Sequence, residues 1–210
     1  MMTDRYHRPV RFAGFQFEAI EGGQDPAAVS RLAHETANAL LARVRAEPDP
    51  EIVERLVRFA DENGIDAIAE LWSRATARSL PGTLWRIYLL RTMIRADAQA
   101  GSLFFQRGIE ISRTIDPVVA GAPDPAGPDE VLELADQILR GVFSGDLAIA
   151  LDRAAAFCRV SAAGSTSVAD DLDQTEPTRS TELTRRALRL SEIAADLSAS
   201  SKLWRSGGLD

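Results

Sequence analysis

The sequence predicts an all-α protein, a compact bundle of about eight helices, with solenoid-like stacked helix pairs as the other arrangement. Three observations carry that expectation. Apolar residues recur at three- and four-residue spacing along most of the chain. Capping residues punctuate those stretches. No stretch sustains the two-residue alternation of a strand, so no sheet is expected beyond a short extended arm.

Residues 1–24 read as an N-terminal arm and 25–205 as a single helical domain, with 116–128 as a candidate sub-boundary. A chain of 210 residues buries roughly 70% of its unfolded surface and needs no disulfide or metal staple. In the arm, Arg5, Arg8 and Arg11 interleave with Tyr6, Pro9 and Phe12, followed by Phe15, Phe17 and the breaker Gly22-Gly23. Such a segment lays its phenylalanines on the helices and leaves its arginines in water. The alternative is single-stranded nucleic acid, held by charge and stacking.

The first helix starts at Asp25-Pro26, a good N-cap followed by a residue pre-set for the first helical position. Its apolar stripe runs through Val29, Leu32, Ala33, Ala37, Leu40, Leu41 and Val44, and it ends before Pro48. A second helix begins with Asp49-Pro50 and stops at Gly64. A third carries Ile65, Ile68, Leu71, Trp72 and Ala75. Ser79 caps the next, Pro81 to Arg95, which is apolar nearly all round and is therefore expected at the centre of the bundle. After Asp97 a helix holds Leu103, Phe104, Phe105, Ile109 and Ile111.

From Asp116 to Pro128 the pattern stops, among four prolines and two glycines. The break precedes the acidic part of the chain: residues 106–210 hold 11 basic and 17 acidic side chains. Pro128 opens a helix through Val142, and Gly145-Asp146 joins it to one carrying Leu147 to Cys158. Residues Ser161 to Thr175 read as a polar loop. The last helix begins near Thr175-Glu176-Pro177, and Leu183, Ala187, Leu190, Ala194, Leu197, Ser201 and Trp204 make a heptad seam along it. Three of those seven positions are Ala or Ser, which suits a long helix closing the bundle better than a free coiled coil.

The run Asp61 to Arg74, the run Ser79 to Arg91, Ala155-Ala-Phe-Cys-Arg159 and Leu203-Trp-Arg-Ser206 resemble a family of short all-helical cytoplasmic proteins of high-GC Gram-positive bacteria. The resemblance spans nearly the whole chain and implies an intact all-helical domain. It carries no activity, ligand or functional residue with it.

Composition excludes several chemistries. The single lysine, Lys202, has no glycine-rich loop around it, so a P-loop is excluded. His7, His34 and Cys158 are too few for a closed zinc site. No Glu-x-x-His pair of a di-iron bundle and no Asp-x-Asp-x-Asp arrangement of a polymerase occurs. His34 and Cys158 are weighed as a base–nucleophile pair, against a packed core cysteine. Asp170, Asp171, Asp173, Glu176 and Glu182 imitate a calcium loop but lack its glycine, and read as a solvated loop. Asp129, Glu133 and Asp136 share a helix face with Arg140 and read as an exposed charged face. A helix-turn-helix over 66–95 would need a polar recognition helix, which Pro81 to Arg95 is not.

No catalytic residue, metal or cofactor is expected, and the leading reading is a non-enzymatic protein-interaction or regulatory module. The alternatives are a transcription- or nucleic-acid-associated factor and a helical enzyme with an unrecognised site. Contact to nucleic acid or another partner would use Arg5, Arg8, Arg11, Arg86, Arg91 and Arg95. A net charge of −7 disfavours nucleic acid and anionic membrane. One cysteine, no apolar leader and no apolar run of about 20 residues point to the cytoplasm.

Overall fold

The computed structural model describes residues 25–46, 71–112, 114–121 and 125–210. Among them are seven helices and no strand: α1 (Pro26–Ala46), α2 (Leu80–Ala96), α3 (Ala98–Ile111), α4 (Asp116–Ala120), α5 (Pro128–Ser144), α6 (Leu147–Leu172) and α7 (Pro177–Arg205). The class is all-α. The arm with Arg5, Arg8 and Arg11, the helix expected from Asp49-Pro50 and most of the third helix lie outside the described residues.

Local chemistry starts the helices where the sequence places them. The Ala27 N–H donates to Asp25 Oδ1 at 3.0 Å, and the Gly82 N–H to Ser79 Oγ at 3.3 Å. Asp97 accepts from Ala100 N–H and Asp146 from Ala148 N–H. Each bond satisfies a backbone donor that the first helical turn leaves over. Pro128 and Pro177 open α5 and α7. At the other end of α7, Gly207 takes a φ of 72°, a left-handed conformation that needs glycine. The chain then turns back, buries Leu209 in the core, and receives the Leu80 N–H on the Asp210 backbone oxygen at 2.6 Å.

The organising helix is α6, not α2. Helices α3, α4, α5 and α7 all pack against it, the radial arrangement of a bundle. Its buried side chains are mostly small, among them Ala150, Ala154, Ala155, Ala156, Ala162 and Ala169. Small side chains let neighbouring backbones approach, and Phe157 fills the wider space by stacking on Phe105 at 4.7 Å between ring centroids. The expected polar loop from Ser161 is instead a continuation of α6 to Leu172. Ser161, Gly164 and Ser165 are buried there against α3, so tertiary packing outweighs their modest helix propensity.

Helix α7 returns along α6 with Leu183, Ala187, Leu190, Ala194, Leu197 and Ser201 buried in the seam. Helix α2 buries one side only. Leu80, Leu84, Ile87, Leu90 and Ile94 face the core, while Trp85 and Tyr88 are half-buried and Leu89 is 38% exposed. Where the 116–128 segment breaks the helical pattern, the short helix α4 packs on α6. The main hydrophobic cluster draws on α1, α2, α3, α5, α6 and α7. Trp72, four per cent exposed, joins it and donates from Nε1 to Thr36 Oγ1 on α1 at 3.1 Å. No helix among the described residues is long and apolar enough to cross a membrane.

Candidate functional site

Helices α2 and α7 are pinned together by a buried bond from Thr83 Oγ1 to Ser200 Oγ, 2.8 Å long. Beside that bond lies a surface groove of about 500 Å³. Its walls carry Arg78, Arg86 and Leu89 on one side and Arg189, Ile193 and Asp196 on the other. Asp196 is shared: Arg78 Nε stands 3.4 Å from Oδ1 and Arg86 Nη2 3.1 Å from Oδ2. One carboxylate therefore serves two guanidiniums. Glu192 also lines the groove and makes no salt bridge among the described residues.

One turn further toward the start of α7, Arg186 lies over the ring of Phe104, its guanidinium carbon 4.9 Å from the centroid. Its Nε is buried and has no hydrogen-bond partner. Burial lowers the pKa of Arg186; Asp97 works against that, and the neighbouring charge of Arg189 adds to it. The carboxylate of Asp97 already accepts the Ala100 N–H as the cap of α3. Arg185, Arg186 and Arg189 make no salt bridge among the described residues. Several other arginines of the bundle pair with acids: Arg107 with Asp171, Arg159 with Asp116, Arg179 with Glu176 and Arg205 with Asp152.

The arginines that the sequence singles out are divided by the structure. Arg86 faces α7, where it holds Asp196 and donates to the Gly82 carbonyl at 3.1 Å. Arg91 and Arg95 face α5. Arg91 is buried, and its Nε donates to Asp136 Oδ1 at 2.7 Å, with Arg95 3.7 Å from the other oxygen. Asp136 is thus the counter-ion of a buried arginine, and only Asp129 and Glu133 of that acidic face are exposed. Glu133 accepts from Gln137 and Arg140.

The remaining candidates are held in structural roles. Cys158 is fully buried, and burial pushes its thiol up to about 12, far from a thiolate nucleophile. His34 is tied to its own helix, Nδ1 lying 2.7 Å from the Ser30 carbonyl oxygen. Asp170 and Asp171 lie in the last turn of α6, while Asp173 and Glu176 lie in the short turn that joins it to α7. Asp171 pairs with Arg107 at 3.0 Å. Among the described residues no three His, Cys, Asp or Glu side chains converge as metal ligands would.

Sequence reasoning missed Arg185, Arg186 and Arg189. Glu182 precedes Arg186 by four positions and Glu192 follows Arg189 by three, spacings at which helical side chains normally pair. Arg186 instead lies over the ring of Phe104 on α3.

Fold and site together define a helical bundle with a basic, partly apolar surface groove. Comparison with protein-family models, curated proteins and solved structures finds no match to this chain.

Proposed function

We propose that the protein is a non-enzymatic helical interaction module that presents the α2–α7 groove to a protein partner in the cytoplasm. The supporting observation is the groove itself, where Arg189, which makes no salt bridge among the described residues, adjoins the exposed Leu89 and the half-buried Ile193. Interface cores combine apolar anchors with arginine in this way. Leu89, 38% exposed, lines the groove where a partner would cover it.

The test is affinity capture from native extract of the source cells, with wild-type protein and Leu89→Asp compared at equal thermal stability. A protein retained by the wild type and lost by the variant is expected. Equal retention by both would remove the groove from the function. Retention that disappears on nuclease treatment would favour the nucleic-acid reading instead.

A further inference from the structure

We infer that Arg189, which lines the α2–α7 groove, and Arg186, one turn away on α7, form a carboxylate-binding pair beside that groove, and that the partner is an amphipathic helix presenting Asp or Glu beside an apolar anchor. This rests on the interaction reading above and adds the chemistry of the partner.

The argument begins with unspent charge. The protein is acidic overall, with a net charge of −7, and most arginines among the described residues pair with its own carboxylates. Three arginines within five residues of α7 do not. Arg186 is held by the face of Phe104, and that ring is itself 95% buried, since it exposes 5%. The guanidinium is therefore positioned without a counter-ion. A planar guanidinium fixed in this manner suits a carboxylate, which accepts two parallel N–H bonds.

Helix α7 also sets a distance. Arg186 and Ile193 are seven residues apart on α7, about 10 Å along the axis at 1.5 Å per residue. A partner helix lying in the groove would place an acid and an apolar side chain two turns apart, at i and i+7. Leu89 forms the opposite wall against the apolar anchor. Nucleic acid fits less well, because a chain of net charge −7 repels a continuous polyanion while tolerating one or two carboxylates.

The probe is a fluorescein-labelled amphipathic helical peptide with Glu and Leu two turns apart, read by anisotropy. A Gln-for-Glu peptide and a single-stranded oligodeoxynucleotide are measured beside it. The Glu peptide is expected to bind, and the Gln peptide to bind at least about tenfold more weakly. Arg186→Gln and Arg189→Gln should each weaken the Glu peptide by a similar factor. Arg179→Gln should not, since Arg179 pairs with Glu176 outside the groove. Arg189 is exposed, so its variant keeps the test open should Arg186→Gln fold poorly. Equal binding of the two peptides, or binding of neither, overturns the carboxylate proposal and leaves the interaction reading to the Leu89→Asp capture. Tighter binding of the oligodeoxynucleotide overturns both.

Discussion

A Cβ placed on Gly164 of α6 would stand 2.7 Å from the backbone nitrogen of Gly108 on α3, so these helices cross backbone to backbone. The contact is mutual, because a Cβ on Gly108 would overlap the carbonyl group of Val160. Neither obstacle is a flexible side chain, and the helices would have to part. Gly164→Ala and Gly108→Ala are each expected to cost about 3 kcal/mol, the upper end of overpacking. Gly101 on α3 is the control: its nearest neighbour would be 3.7 Å away, at the Val131 side chain. Gly101→Ala should raise stability by about 0.5–1 kcal/mol through lower backbone entropy. Urea denaturation of the three variants gives the sign of each.

The buried pair Arg91–Asp136 makes a second prediction. The Arg91 side chain is 4% exposed and that of Asp136 19%. Asp136→Ala takes the carboxylate from a guanidinium already out of water. Its cost is expected at about 3 kcal/mol, the lower end for breaking a buried ion pair, because Asp136 keeps some contact with solvent. Arg91→Met should cost clearly less, since it leaves no uncompensated charge inside. A larger loss for Arg91→Met in chemical denaturation would contradict the pairing.

Asp116 gives a pH signature. Arg159 Nη2 and Nε lie 2.6 and 3.0 Å from its Oδ1, and Thr114 Oγ1 donates to Oδ2 at 3.1 Å. The Arg159 hydrogen bonds, chiefly, hold the carboxyl below its ordinary 3.8, against the effect of burial. A carboxylate with a lowered folded pKa stabilises the protein above its unfolded value. That contribution is lost as pH falls through the lowered folded value. The stability difference between wild type and Asp116→Asn should be widest at neutral pH and close on the acid side. A difference unchanged between neutral pH and about pH 3 would show the pair irrelevant.

The start points of helices were legible because they rest on local chemistry: Asp25, Ser79, Asp146 and the prolines 128 and 177 act within a few residues of themselves. The α7 seam was legible because periodicity survives packing. The continuation of α6 was not, since Ser161, Gly164, Ser165, Thr166 and Ser167 read locally as a loop and become helical only against Phe104 and Gly108 of α3. The role given to α2 failed for a related reason. Apolar residues on every side do not require burial on every side, as Trp85, Tyr88 and Leu89 show. For the groove, half of each pairing was visible. Arg86 stood out in the sequence, but its sharing of Asp196 with Arg78 depends on how α2 meets α7.

The central claim is that Arg186 is kept for a partner and not for the fold. Its half-buried guanidinium, with an Nε lacking any hydrogen-bond partner, carries a desolvation cost that its stacking on Phe104 only partly offsets. Methionine would keep a contact with that ring and carry no charge. The most direct measurement is the stability of Arg186→Met by equilibrium denaturation. The account predicts a variant equal to the wild type or up to about 1 kcal/mol more stable. A variant less stable by about 2 kcal/mol or more would make Arg186 a structural residue and contradict the claim.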